Sequence, residues 1–200
     1  QHPGAMVVTY INSTAAVKAH SDVICTSSNA LRIVERVDAD EIIFLPDRNL
    51  GSYVQRFTKK KIILWKGFCP THEKFTPEEL RTVREKNPGA VVMVHPECRP
   101  EVIDLADEVL STGQMVKFVQ KTDKRKIIVG TEIGMLHKLK SVAPHIEFIP
   151  ASASFICPNM KKINLPVLLR GLQNEETVVS VDADIRDRAK KALDRMLELS

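Results

Sequence analysis

The feature that most constrains the fold of this chain is an internal repeat. Sliding the sequence against itself by 85 positions aligns residues 5–65 with residues 90–150 without a gap. Tyr10 then lies on His95, and Asp47 lies on Glu132. Internal similarity at a constant offset indicates one structural unit used twice. Whatever fold the first unit adopts, we therefore expect the second to adopt it as well.

Each unit contains four short apolar runs separated by helical segments. Continuous apolar runs of this kind are typical of strands that are covered on both faces of a parallel sheet. The helical segments between them are typical of parallel βαβ crossovers. We therefore predict an α/β fold of two pseudo-repeated three-layer α/β/α sandwich domains with short parallel sheets. The predicted strands are residues 6–10, 23–26, 42–45 and 62–65 in the first unit, and residues 91–94, 108–110, 127–129 and 147–149 in the second.

A helix start signal separates the two units. Thr76 precedes Pro77, and Glu79 follows Thr76 at the third position, which is the pattern of a capping box with proline at the first helical position. We place the first α/β repeat at residues 1–80 and the second at residues 81–170. Residues 171–200 form a C-terminal tail, with a candidate strand at 178–181 and an amphipathic helix at 183–199.

Polar residues follow the first two strands of each unit. Open parallel sheets bind ligands beyond the carboxyl ends of their strands, where the next helix presents free N–H groups. Hydroxyl, amide and imidazole groups at these positions suit carboxylates and phosphates, although Ser and Thr there are also common helix caps. Glu97 stands two residues after His95, so both point to one side of an extended segment and can form an acid–base pair. The polar segments are residues 10–13, 26–29, 95–98 and 111–114.

The chain has four cysteines and no C-x-x-C pair. This spacing is unlike the disulfide framework of a small secreted domain and favours a reducing, cytoplasmic location. Cys25 lies inside an apolar strand and is assigned to the core. Cys69 and Cys157 each precede a proline in a loop after the fourth strand of a unit, which makes them candidate metal ligands. One alternative is a zinc site, although the spacing matches no standard zinc pattern. Its ligands would be Cys69, His72 and Cys157, completed by Cys98 or His95.

Composition excludes several classes of protein. An apolar fraction of 44% with 27% charged residues is typical of a globular chain, and no apolar run approaches the roughly 18 residues of a membrane helix. The net charge is 29 − 25 = +4, with basic and acidic residues interleaved and few aromatic residues. The charge pattern suits small anionic ligands at least as well as nucleic acid, and the lack of interleaved aromatic residues argues against nucleic-acid binding. The chain begins without methionine or a secretory leader, so we expect a fragment with no signal peptide.

Eight motifs resemble the quinolinate synthase family in content and order. They are TYINS, TSSNA, FLPDRNLG, W-x-G-x-C-x-x-H, HPEC, STGQM, GTEIGMLH and CPNMK. The resemblance covers essentially the whole chain. It implies three α/β domains related by pseudo-threefold symmetry, of which this chain carries the second and third. It implies condensation of iminoaspartate with dihydroxyacetone phosphate to quinolinate in NAD biosynthesis, and a partner aspartate oxidase or dehydrogenase that supplies iminoaspartate.

The resemblance also implies a 4Fe–4S cluster held by Cys69, Cys157 and a third cysteine from the first domain. One iron would then stay open as a Lewis acid. Glu97 matches a residue suited to proton transfer, Tyr10 is expected to assist through its hydroxyl group, and His72 is a further candidate catalytic residue beside the cluster. The implied substrate-binding residues are Tyr10, Asn12, Ser27, His95, Glu97 and Thr112.

Three expectations about activity remain open at this point. Without the first domain, the chain is expected to be inactive or to bind a degraded cluster. A non-catalytic module that binds a dicarboxylate or phosphate would use the same residues at the strand ends without metal chemistry. A zinc-dependent hydrolase is the third alternative.

Overall fold

The computed structural model describes residues 2–200 and contains two parallel sheets with the same strand order. The first sheet has the order β2-β1-β3-β4, and the second has the order β6-β5-β7-β8. The strand register repeats too, because Met6 pairs with Ile42 and the residues 85 positions later, Val91 and Ile127, also pair. The strands are β1 Met6–Tyr10, β2 Val23–Cys25, β3 Glu41–Leu45, β4 Lys61–Leu64, β5 Val91–Val94, β6 Glu108–Val109, β7 Lys126–Gly130 and β8 Glu147–Pro150. The predicted repeat and fold class are confirmed.

Helices connect the strands and cover the sheets. The predicted capping box at Thr76 and Glu79 is present, with both reciprocal hydrogen bonds formed. A second capping box joins Ser111 and Gln114 at the corresponding end of another helix. The helices are α1 Ala15–Ala19, α2 Ala30–Arg36, α3 Arg48–Gln55, α4 Pro70–Glu73, α5 Pro77–Glu85, α6 Pro100–Ile103, α7 Thr112–Lys121, α8 Met135–Val142, α9 Leu165–Asn174 and α10 Ala183–Glu198, with a 3₁₀ turn at Met160–Lys162.

The second sheet has a core on each face, as a three-layer arrangement requires. Val92 and Val94 of β5 pack with Leu80 of α5 on one face. Met93, between them, packs with Met115 of α7 on the other face. Successive side chains of a strand point to opposite faces, so both faces of β5 must be apolar. This explains why the strand is a continuous apolar run.

The C-terminal helix returns to the first unit. Helix α10 packs against α1 and β2, and its Ala189 and Ala192 are buried. The predicted strand at residues 178–181 is wrong: this segment has no strand pairing, and Val178 and Val179 are 89% and 80% exposed. A β-branched run forms a strand only where a neighbouring strand supplies hydrogen-bond partners. Across residues 2–200, none of the helices combines the length and apolarity needed to cross a membrane.

Candidate functional site

Two adjoining cavities lie where the polar strand ends of both units meet. The smaller, which we call the cysteine cavity, has a volume of about 280 Å³. The larger, which we call the histidine cavity, has a volume of about 430 Å³. Tyr10, Asn12 and Glu97 line both of them. The cysteine cavity is also lined by Cys69 and Cys157, and the histidine cavity by Ser27, His72, His95 and Thr112.

The residues that the resemblance implies for catalysis, substrate binding and cluster ligation thus each line at least one of the two cavities, whereas Cys98, an alternative zinc ligand, lines neither. The reason is topological: the carboxyl ends of parallel strands share one edge of a sheet, and the two units turn these edges toward each other. Tyr10 is the last residue of β1, and His95 follows β5 directly, so equivalent positions of the repeat face one another across the site.

Glu97 lies between two histidines. Its Oε2 atom is 3.2 Å from His95 Nδ1 and 3.7 Å from His72 Nδ1, and the two imidazole rings stack with centroids 5.0 Å apart. Burial alone raises the pKa of Glu97, but the hydrogen bond and charge of His95 and the charge of His72 bring it below its ordinary value. Burial lowers the pKa of His72 to about 4. The site therefore presents an ionised carboxylate beside a neutral His72 at neutral pH.

Tyr10 carries a protonated hydroxyl group into both cavities. Burial and the charge of Glu97 raise the pKa of Tyr10 far above its ordinary value, which outweighs the opposing hydrogen bond with Ser27. A phenol that stays protonated can donate a hydrogen bond to an anionic ligand. Tyr10 is therefore suited to bind a carboxylate or phosphate.

Cys69, His72 and Glu97 form a group that can hold a metal ion. Cys69 is the N-cap residue of α4, and His72 lies three residues further along that helix, with Nδ1 3.2 Å from Cys69 Sγ. One ligand atom from each of the three residues lies within 4.8 Å of the other two. His72 is fixed from its other side, because its Nε2 atom is 3.1 Å from Thr131 Oγ1. Burial and the charge of Glu97 raise the pKa of the Cys69 thiol.

The cysteines divide into two classes. Cys69 and Cys157 are partly exposed and unpaired and line the same cavity. Cys25 is fully buried in the core, as predicted. Cys98 is also fully buried, with its thiol directed at the Gly130 carbonyl oxygen 3.6 Å away, and it lines neither cavity.

The donor set fits an iron–sulfur cluster in part. Such clusters are held by cysteine thiolates, and Cys69 and Cys157 present thiols to one cavity. Among residues 2–200, no other cysteine lines either cavity. This chain thus offers two thiols in one cavity and, in His72 and Glu97, two further side chains of types that can bind metal.

Sequence reasoning missed Asp47 and Glu132 as site residues. Asp47 lines the cysteine cavity, and Glu132 lines the histidine cavity. Burial raises the pKa of Asp47 to about 6, against the hydrogen bonds that it accepts from the backbone. The signal that could have found both was available, because they are equivalent acids 85 positions apart in the repeat.

Comparison with known proteins agrees with the motifs. The model of the family described as "NadA: Quinolinate synthetase A protein" matches residues 1–198. A quinolinate synthase of Dehalococcoides mccartyi strain BAV1 is 51% identical over 199 residues, which cover 100% of this chain and 66% of the relative. A quinolinate synthase of Geobacter sp. strain M21 is 51% identical over 197 residues, covering 98% of this chain and 65% of the relative.

A third relative has a similar level of identity. Quinolinate synthase 1 of Methanosarcina acetivorans is 47% identical over 197 residues, covering 98% of this chain and 65% of the relative. The chain spans about two thirds of the length of these curated relatives. On the family match along nearly its whole length, the chain belongs to the quinolinate synthetase A family.

Proposed function

We propose that this chain forms the part of a quinolinate synthase that binds substrate and supplies two ligands of an iron–sulfur cluster. The reaction is the condensation of iminoaspartate with dihydroxyacetone phosphate to quinolinate, with loss of phosphate and water. The observation that carries the proposal is the pair of adjoining cavities, of which the cysteine cavity is lined by Cys69, Cys157, Glu97 and Tyr10 together. Membership of the family supports the reaction.

Cys69 and Cys157 would hold a 4Fe–4S cluster, with a third cysteine from outside this chain. When bound, such a cluster supplies an open iron that acts as a Lewis acid toward a substrate oxygen or nitrogen. Cysteine ligands must be deprotonated to bind metal, and a bound cluster stabilises the thiolate form. The partly exposed thiols are accessible for this step, whereas those of Cys25 and Cys98 are not.

The other residues of the site bind substrate and transfer protons. Glu97 is ionised and buried, so it can accept a proton from a substrate carbon or nitrogen and return it during dehydration. His95 holds this carboxylate in place at 3.2 Å. Tyr10, Asn12, Ser27 and Thr112 would bind the carboxylates and phosphate. Thr112 begins α7, where the free N–H groups of a helix start favour an anion.

The proposal includes the cellular setting. The substrates are small anions, and an aspartate oxidase or dehydrogenase would supply iminoaspartate. Four unpaired cysteines and an oxygen-sensitive cluster are compatible with a reducing cytoplasm. Neither nucleic acid nor a membrane is a partner in this proposal.

The test is anaerobic reconstitution of the complete polypeptide that carries this chain, with iron and sulfide. Replacing Cys69 or Cys157 by alanine is expected to remove most of the cluster absorbance at about 400 nm and the production of quinolinate. Cys98→Ala is the matched control and should retain the cluster, because Cys98 faces the core. Glu97→Gln should retain iron but lose turnover.

Three results would contradict the proposal. A Cys69→Ala variant that keeps its iron and activity would exclude that thiol as a ligand. Cysteine variants that bind the dicarboxylate normally, in a protein that never forms quinolinate, would indicate a binding module instead. Stoichiometric zinc in the purified protein, with no dependence of activity on iron, would favour the zinc-dependent hydrolase.

A further inference from the structure

The carboxylate of Asp47 joins two loops beside the cysteine cavity. Asp47 is 2% exposed and follows β3. Its Oδ1 atom accepts hydrogen bonds from the backbone N–H groups of Asn49 and Leu50, at 2.7 and 2.9 Å, and thereby caps α3. Its Oδ2 atom accepts the backbone N–H of Cys69. One side chain therefore connects the start of α3 with the residue that carries the first cluster thiol.

The carboxylate of Glu132 makes the same kind of connection in the second unit. Its Oε2 atom accepts the backbone N–H of Gly134 at 2.7 Å. Its Oε1 atom lies 3.5 Å from the backbone nitrogen of Cys157 and 2.8 Å from Lys161 Nζ. A Cβ atom at residue 134 would lie 2.7 Å from Glu132 Oε2, so glycine is what permits this close approach. Glu132 thus connects the segment after β7 with the loop that carries the second thiol.

The two carboxylates are equivalent in the repeat, but the two cysteines are not. The position equivalent to Asp47, 85 residues later, is Glu132, whereas the position equivalent to Cys69 is Ser154, three residues before Cys157. On the repeat alone, we would therefore expect the carboxylate of Glu132 to lie beside the backbone N–H of residue 154 rather than that of Cys157. The side chain of glutamate is one methylene group longer than that of aspartate, and the Oε1 atom of Glu132 lies 3.5 Å from the backbone nitrogen of Cys157. In both units a carboxylate thus lies near the backbone N–H of the cysteine, although the two cysteines occupy different positions in the repeat.

A second pair of equivalent aspartates has no such connection to the site. Asp22 and Asp107 are also 85 positions apart, and their carboxylates accept the backbone N–H groups of Val7 and Val92 at 2.7 and 2.8 Å. These bonds lie at the beginnings of β1 and β5, at the opposite ends of the strands from the cavities. They provide a matched comparison: the same type of bond with no cysteine involved.

We infer that Asp47 and Glu132 are positioning residues that hold the cysteine loops so that both thiols face one metal centre. A hydrogen bond to a backbone N–H helps to fix the position of that residue's Cα atom and the direction of its Cα–Cβ bond, which limits the thiol to the few positions that rotation about χ1 allows. Residues that orient metal ligands from behind typically change metal affinity by about 10-fold to 100-fold when replaced. The inference rests on the proposed function, because it requires Cys69 and Cys157 to be ligands.

The experiment compares Asp47→Asn and Glu132→Gln with Asp22→Asn and Asp107→Asn in the complete, anaerobically reconstituted polypeptide. An amide keeps one acceptor oxygen and replaces the other with a donor, so it cannot serve both N–H partners. The measurements are the rate of iron loss to a chelator, the electron paramagnetic resonance spectrum of the reduced cluster, and the thermal unfolding midpoint.

Asp47→Asn is expected to speed iron loss by about 10-fold or more and to change the resonance spectrum. Glu132→Gln should have a smaller effect in the same direction, because its contact with Cys157 is longer. Asp47→Glu keeps a carboxylate and should recover most of the retention of iron. The two control variants should leave iron loss and the spectrum unchanged, because each replaced carboxylate accepts a single backbone N–H away from the cysteines, and the unfolding midpoint shows whether any change in iron loss merely follows a loss of stability. Should Asp47→Asn fail to fold, Glu132→Gln provides the same comparison.

Two outcomes separate failure of this inference from failure of the proposed function. In the first outcome, Cys69→Ala and Cys157→Ala lose the cluster, but Asp47→Asn and Glu132→Gln release iron at the rate of the control variants and keep an unchanged spectrum. Only the positioning role is then overturned. If both cysteine variants retain the cluster, the proposed ligands and the positioning role are overturned together.

Discussion

Phe155 packs between the core of the second unit and the histidine cavity. Its replacement by alanine is expected to lower the free energy of unfolding by a large fraction. The side chain is 1% exposed. Its ring centroid lies 4.8 Å from that of Phe75 and 5.6 Å from that of His72, and its carbonyl oxygen accepts the Ile133 N–H at 2.9 Å. Phe155 therefore connects the core of the second unit to a residue of the histidine cavity, two positions before Cys157.

The expected loss for Phe155→Ala is about 3–5 kcal/mol in the free energy of unfolding. This range covers the lost transfer of a buried phenyl ring and the cavity left behind. The contact with Phe75 accounts for about 0.5–1.5 kcal/mol of it, the usual contribution of an aromatic pair. Phe155→Leu keeps an apolar side chain at the position and should lose less, roughly 1–2 kcal/mol. Domains are stable by only about 5–15 kcal/mol, so the alanine variant should be severely destabilised.

Urea unfolding followed by far-ultraviolet circular dichroism measures these losses. Phe57→Ala is the matched control, because Phe57 is 56% exposed and its truncation should cost less than about 1 kcal/mol. The reasoning is refuted if Phe155→Ala and Phe57→Ala destabilise the protein equally. It is also refuted if Phe155→Leu costs more than Phe155→Ala, since the loss would then not scale with the volume removed.

Three further predictions concern the thiols, a helix start and the C-terminal helix. In the folded, metal-free protein an alkylating reagent should modify only Cys69 and Cys157, whereas after unfolding it should modify all four cysteines. Rapid modification of either core cysteine in the folded state, detected by mass spectrometry, would contradict the burial described. Thr76→Ala removes one half of a capping box and should cost about 1 kcal/mol in urea unfolding, so an unchanged midpoint would argue against the cap. Ala192→Asp places an unpaired charge against the first unit and should strongly lower the thermal unfolding midpoint. Lys191→Asp is the control and should not, because Lys191 is exposed. Equal midpoints for the two variants would mean that α10 does not pack on the first unit.

The eight strands of the two sheets, their order along the chain and several of the residues that line the two cavities could be predicted from the amino-acid sequence. Continuous apolar runs indicate strands that are covered on both faces, and the repeat at 85 positions indicates that the second unit has the same fold as the first. The capping residues around Thr76 act locally, within one helical turn, so their pattern alone predicted the start of α5. The rule that ligands bind at strand carboxyl ends then selected Tyr10 and His95 as neighbours in one site.

Only the tertiary structure decided which segments distant in the chain meet in space. Val178 and Val179 have a high preference for strands, but they pair with no neighbouring strand and are exposed. Helix α10 packs on the first unit although it follows the second in the chain. The bond from the carboxylate of Asp47 to the N–H of Cys69 joins residues 22 positions apart and has no local pattern. Sequence periodicity reports which side of a strand or helix is apolar, whereas the contacts of a buried carboxylate depend on how loops from different strands come together in space.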